Sequence, residues 1–133
     1  MKYVIIGTGA AGITAAKEIR KLEEKAKITM ISADEHVHSR CMLHKYLSHE
    51  RTAEELSFVE EDFFEKNRIG EVHGQIEAID TVDRVVDTKE GESICYDKLL
   101  ISTGANSFIP PVGDLRKAKN VFGLRHLKDA QAI

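Results

Sequence analysis

The first twelve residues, Met-Lys-Tyr-Val-Ile-Ile-Gly-Thr-Gly-Ala-Ala-Gly, carry a short apolar run that ends on three glycines spaced Gly-x-Gly-x-x-Gly. This spacing constrains the fold more than any other feature, because each glycine meets a separate requirement. Gly7 permits a tight turn out of a strand, Gly9 lets phosphate oxygens reach bare backbone, and Gly12 lets the following helix pack against the sheet. The helix beginning there turns its positive end toward the same point, so the pattern predicts a seat for a dinucleotide pyrophosphate.

The flanking segments have the periodicities that such a seat requires. Val4, Ile5 and Ile6 predict a strand buried on both faces, as in a parallel sheet. From Ala10 to about Lys25 the apolar residues Ala15, Ala16, Ile19 and Leu22 share one face and Lys17, Glu18, Lys21 and Glu24 fall mostly on the other, which predicts a helix. Ile28, Thr29, Met30 and Ile31 supply a second strand and complete a strand-helix-strand unit of ~30 residues. Met42, Leu43, Tyr46 and Leu47 predict a short helix within Ser39 to Leu47. Ser57 and Glu60 have capping-box spacing, which predicts a helix running to about Asn67. A third strand is expected near Gly74 to Ile79, and a hairpin follows with Val85 and Val86 opposite Ile94 and Tyr96. Leu99, Leu100 and Ile101 again predict a buried strand, ending at Ser102-Thr103-Gly104, and Pro110-Pro111 with Gly113 marks an extended loop. The fold expected is α/β: a Rossmann-like domain with a parallel sheet and a small antiparallel hairpin or meander.

Composition narrows the function. The length of 133 residues, with 42% apolar content, suits one ordinary domain. A net charge of -3 and the lack of a basic cluster argue against nucleic acid or an anionic membrane as partner. No apolar run approaches the ~20 residues of a membrane span, so a soluble protein is expected. Cys41 and Cys95 are widely separated, no Cys-x-x-Cys is present, and no leader-like segment precedes the first strand, which together point to a reduced, cytoplasmic setting without dithiol chemistry. His36, His38, Cys41 and His44 have a spacing superficially suited to zinc, but a helix starting near Ser39 would turn them in different directions, and no metal is expected.

Four separated segments coincide with one family: Gly7-Thr8-Gly9-Ala10-Ala11-Gly12, Ile31-Ser32-Ala33-Asp34-Glu35-His36, Ser39-Arg40-Cys41-Met42-Leu43-His44-Lys45, and Tyr96-Asp97-Lys98-Leu99-Leu100-Ile101-Ser102-Thr103-Gly104-Ala105. On these the chain resembles the N-terminal FAD-binding segment of the pyridine nucleotide-disulfide oxidoreductases, particularly the rubredoxin reductase, ferredoxin reductase, nitrite reductase and NADH oxidase-like branch. The strand end at Thr103-Gly104-Ala105 resembles the family's Ala-Thr-Gly signature and favours FAD over NAD as occupant of the glycine loop. The resemblance implies an enzyme that passes electrons from NAD(P)H through FAD to a carrier protein such as rubredoxin or ferredoxin, or to a small acceptor, with a homodimer as the full-length form. It also implies that residues 1–115 are a partial FAD-binding domain and that residues 116–133, with Asn120 to Arg125 and Lys128 to Ala130, lead into an NAD(P)H-binding domain absent here. On that reading the chain is an N-terminal piece, inactive alone.

The same resemblance assigns residues. Gly7, Gly9, Ala10, Ala11, Gly12, Ser32, Ala33, Asp34, Arg40, Lys45, Ile76, Thr103 and Gly104 are implied to bind the cofactor, and Lys45 and Cys41 to be catalytic. A fixed cation at Arg40 or Lys45 would stabilise negative charge arising on flavin reduction, whereas the plainer alternative leaves both as solvated helix charges. Ser32 stands where many relatives place the acid that grips the adenosine ribose, so backbone contacts at Ser32 and Ala33 with Asp34 nearby are expected, against an Asp34 that only shapes the loop. Cys41 is either a redox thiol, as in some relatives, or an inert one. Two functions of another class stay open: a free-standing, non-catalytic dinucleotide-binding module, and an NAD-binding redox sensor.

Overall fold

The computed structural model describes residues 1–133. The chain forms two units, Met1–Val37 with Val59–Gly104 and His38–Phe58 with Ala105–Ile133.

The first unit is built on a four-stranded parallel sheet of β1 (Lys2–Ile6), β2 (Lys27–Ser32), β3 (Ile69–His73) and β7 (Lys98–Ile101), ordered β3-β2-β1-β7. A separate antiparallel sheet contains β4 (Ile76–Asp80), β5 (Val85–Thr88) and β6 (Ser93–Cys95). β1 is central and pairs in parallel with both neighbours, placing Ile6 opposite Ile31 on one side and Ile101 on the other. Alternation along β1 explains its unbroken apolar run. Ile5 enters a core with Ile13 and Ala16 of α1 (Ala10–Leu22), Met30, and Phe63 of α3 (Phe63–Lys66), while Val4 and Ile6 enter a second core with Val86 and Tyr96. Full burial of an isoleucine such as Ile5 contributes about 1.5–3 kcal/mol.

Arg20 closes the C-terminal end of α1. Its guanidinium donates to the carbonyls of Glu24 at 2.6 Å, Ala26 at 2.8 Å, Asn67 at 2.8 Å and Arg68 at 2.9 Å. One cation thereby ties the helix end to the entry of β2 and to the turn before β3. Desolvation first, then the Arg68 charge, pulls the Arg20 pKa down, with Glu24 opposing.

The second unit contains a 3₁₀ turn at Arg40–Met42, α2 (Leu43–Leu47), a 3₁₀ turn at Glu54–Leu56 and α4 (Leu127–Ala132). Leu43, Leu56 and Ala130 are its buried core, with Met42, Tyr46, Leu47 and Leu127 packed around them. The apolar spacing within Ser39 to Leu47 thus produces one 3₁₀ turn followed by a short α-helix. No helix is long and apolar enough to cross a membrane.

Four local expectations need correction. Leu22 is 83% exposed, because α1 buries Gly12, Ile13 and Ala16, and Leu22 lies about two and a half turns beyond Ile13, on the far side. The helix expected from Ser57 shrinks to Phe63–Lys66: the Glu60 carboxylate pairs with Lys66 at 3.1 Å and no side chain caps α3. The single strand expected near Gly74 to Ile79 becomes two, with β3 ending before Gly74 in the parallel sheet and β4 starting after it in the antiparallel one. The run Leu99 to Ile101 is a strand in the expected place, but at the sheet edge, where Leu99 packs inward while Leu100 is 38% and Ile101 59% exposed. The hairpin forms as expected, turning at Gly91 with φ +94°.

Ile5→Ala is expected to lower unfolding free energy by about 2–5 kcal/mol, whereas Leu22→Ala should stay within about 0.5 kcal/mol of the parent, as read from denaturant midpoints.

Candidate functional site

The glycine loop leaves β1 at its C-terminal end and leads directly into α1. Gly7 has φ +107°, and its N–H donates to the Ile31 carbonyl at 2.8 Å, so the loop turns sharply while still anchored to β2. A Cβ at Gly7 would overlap the Ser102 carbonyl oxygen and lie 2.9 Å from its carbon. A Cβ at Gly12 would overlap the Gly7 carbonyl oxygen and lie 2.9 Å from Ser102 Oγ. At Gly9 it would meet nothing within 4 Å. Gly7 and Gly12 therefore serve protein packing, while the side of Gly9 that lacks a Cβ faces open space.

Beside Gly9 the N-terminus of α1 is equally bare. Ala10 and Ala11 are exposed, no side chain caps the helix, its first turn holds no acid, and Arg20 and Lys21 lie in its last turn. The N–H groups of a first turn have no acceptor within the helix, so this end presents donors and positive potential together. Anions are the natural ligands of such an end.

Residues at the end of β2 extend the rim. Thr8 Oγ1 donates to Ser32 Oγ at 3.0 Å, and Ser32 Oγ also accepts the Asp34 N–H at 3.1 Å. The Ser32 carbonyl accepts from Gly74 N–H at 2.9 Å. Ser32 is thus buried and committed as an acceptor, with its own hydroxyl proton left to donate, while Ala33 is exposed and Asp34 half-buried. Thr103 and Gly104, the latter at φ +69°, are exposed just after β7. Ile76, at the start of β4, packs against the core that holds Val4 and Ile6. Within this unit the structure therefore brings the glycine loop beside Ser32 and Ser102.

Arg40, Cys41 and Lys45 belong to the second unit. Arg40 donates to the Arg125 carbonyl at 2.7 Å and to His126 Nδ1 at 3.0 Å. The other ring nitrogen, Nε2, lies 3.5 Å from Asn106 Oδ1. Asp129, in the first turn of α4, accepts the N–H groups of His126 at 2.7 Å and Arg125 at 2.9 Å. Burial pushes the Asp129 carboxyl pKa up, but these two bonds and the neighbouring His126 and Lys128 charges outweigh it and hold the pKa below the ordinary range. Lys45 pairs with Glu50 at 2.5 Å, and Ser48 Oγ donates to the other Glu50 oxygen at 2.7 Å. The Lys45 ammonium, then the Ser48 hydroxyl, hold the Glu50 carboxyl pKa below its usual value. Cys41 is exposed and takes part in no disulfide. No group of three or more His, Cys, Asp or Glu side chains is arranged to hold a metal ion.

The profile of the family described as pyridine nucleotide-disulphide oxidoreductase matches residues 1–133. The chain belongs to this family. It is 30% identical over 99% of its length to the assimilatory nitrate reductase electron transfer subunit of Bacillus subtilis (strain 168), of which the match covers 17%. Among solved structures it is similar to NADH:rubredoxin oxidoreductase from Clostridium acetobutylicum, with a TM-score of 0.83 and 31% identity over 99% of this chain and 34% of that one. It is also similar to a chain of the covalent putidaredoxin reductase-putidaredoxin complex, with a TM-score of 0.85 and 29% identity over 98% of this chain and 33% of that one. The chain thus spans about a sixth of that curated relative and a third of these structures.

Within this chain, sequence reasoning missed Thr8, Ser102, His126 and Asp129. Only the last pair carries a local signal: Asp129 stands three residues after His126, the spacing of an N-cap and the third helical position. Thr8 and Ser102 act through partners 24 and 95 or more residues away, which no local pattern reveals.

Gly12→Ala is expected to destabilise the fold by about 1–3 kcal/mol through overpacking, whereas Gly9→Ala should leave the melting temperature within about 2 °C of the parent. For Asp129, whose folded pKa is depressed, the capping contribution is present above its unfolded pKa and disappears as pH falls through the lower folded value. Asp129→Asn should therefore speed amide exchange across Leu127–Ala132 at neutral pH, and the difference from the parent should vanish in acid, once the pH lies below the depressed folded pKa.

Proposed function

We propose that this chain is the FAD-binding part of an NAD(P)H-dependent flavoprotein oxidoreductase that passes electrons to a carrier protein or small acceptor. The observation that carries the reading is the bare cradle at Gly9 and the uncapped, acid-free start of α1, set at the C-terminal ends of parallel strands. Ligands of open α/β sheets bind at that end. Homologues in this family bind FAD and use NAD(P)H, and two similar structures are an NADH:rubredoxin oxidoreductase and a putidaredoxin reductase in covalent complex with putidaredoxin, which supports a carrier protein as acceptor.

Bound FAD would supply the acceptor for hydride from a nicotinamide. The chain's own residues then have defined tasks. Backbone N–H groups around Gly9, Ala10 and Ala11 bind the pyrophosphate, and the close packing at Gly7 and Gly12 holds them in place. Ser32, Ala33 and Asp34 face the adenosine ribose, with the free Ser32 proton as a donor. Thr103, Gly104 and Ile76 complete the cofactor's surroundings. Arg40 orients the loop that carries it, and Lys45, paired with Glu50, offers a cation that favours negative charge on the reduced cofactor. Cys41 is the residue for thiol chemistry, if the acceptor requires it. Residues 116–133 lead into the nicotinamide-binding domain, and the protein is cytoplasmic.

Reconstitution tests this directly. The chain incubated with FAD and desalted should retain flavin absorbance, and Lys45→Ala in the loaded protein should move the flavin potential to more negative values. Retention of NADH with no retention of flavin would replace this reading by that of an NAD-binding sensor.

A further inference from the structure

Ser102 lies where β7 ends, against the glycine loop. Its N–H donates to the Ile6 carbonyl at 2.8 Å, and its hydroxyl donates to the same oxygen at 2.9 Å and approaches the Gly7 carbonyl at 3.4 Å. These carbonyls belong to the last two peptide units before the exposed part of the loop. In a planar trans peptide the C=O and the following N–H point in opposite directions, so fixing one aims the other. The first unit shows this relation: the Ile6 carbonyl points to Ser102 while the Gly7 N–H points to Ile31 on β2. In the second unit, a Gly7 carbonyl drawn toward Ser102 turns the Thr8 N–H away from Ser102. The hydroxyl also occupies the space that the absent Gly12 side chain leaves, since a Cβ there would lie 2.9 Å from it.

We propose that Ser102 is a positioning residue that aims the N–H groups of the glycine loop at the pyrophosphate of the bound dinucleotide. This rests on the reading of the loop as a dinucleotide seat and adds to it a residue from the neighbouring strand, some ninety residues later in the chain. Ser102 touches no ligand atom in this role, and its effect passes through the Ile6 and Gly7 peptide planes.

Calorimetric titration of the full chain with ADP and with FAD, together with the phosphorus NMR shifts of bound ADP, tests the proposal. Ser102→Ala should weaken both nucleotides about fivefold, the loss expected of one hydrogen bond, and shift the phosphorus resonances, while Ser102→Thr, which keeps the hydroxyl, should restore both. Unchanged affinity and unchanged phosphorus shifts in Ser102→Ala would overturn it, whatever the melting temperature does. If that variant does not fold, Ser102→Cys, nearly isosteric with a weaker donor, takes its place under the same criteria. ADP binding without FAD binding would defeat the FAD assignment yet still decide the role of Ser102, and binding of neither nucleotide to the parent chain would overturn both.

Discussion

Everything at the glycine loop depends on the close approach of three backbone segments, at Gly7, Gly12 and Ser102. The start of α1 lies so near the loop that a single methyl group at Gly12 would collide with the Gly7 carbonyl, and Ser102 fills the remaining space while donating to the chain at Ile6. Close packing of this kind transmits displacement, because interiors have few voids to absorb it. The loop geometry is therefore set by β7, which the chain reaches some ninety residues after the glycines, as well as by the strand that precedes them.

Around that knot, β1 is held by parallel partners on both sides and by a core on each face. Arg20 plays the complementary part at the opposite end of α1, where several carbonyls converge on one guanidinium. In the second unit, polar contacts carry more of the order. Arg40 fastens the segment at Arg125 and His126, and Asp129 satisfies two N–H groups at the start of α4. The Lys45–Glu50 pair is of another kind: at 36% and 54% exposure it contributes little to stability and fixes the direction of the Lys45 side chain.

How much of this was legible from residues alone follows from the range of the forces involved. The β1 run and the 85–96 hairpin are local patterns that produced the elements they predicted, and the glycine spacing produced the turn from β1 into α1. The Ser57–Glu60 pattern did not start a helix: α3 begins only at Phe63, without a side-chain cap, and the Glu60 carboxylate pairs with Lys66. Leu22 was misplaced because helix periodicity does not say which of two overlapping apolar faces the sheet will cover, and the buried Ile13 outweighs it. β3 escaped notice because Ile69-Gly70-Glu71-Val72-His73 alternates weakly and gains its strand character from pairing with β2. At the candidate site the glycines were legible and Thr8 and Ser102 were not, since a serine or threonine hydroxyl acquires a role only from the distant group it meets.

The sequence by itself determined that the chain begins with a strand, a glycine loop and a helix, because turn geometry, backbone clearance and the helix dipole are properties of neighbouring residues. The tertiary structure decided which glycines are packed and which stands open. It also decided that Ser32 is spent as an acceptor, and that Ser102 braces the loop. Those outcomes depend on which strands lie side by side, and strand order follows from the burial of whole surfaces, which no short stretch of residues encodes.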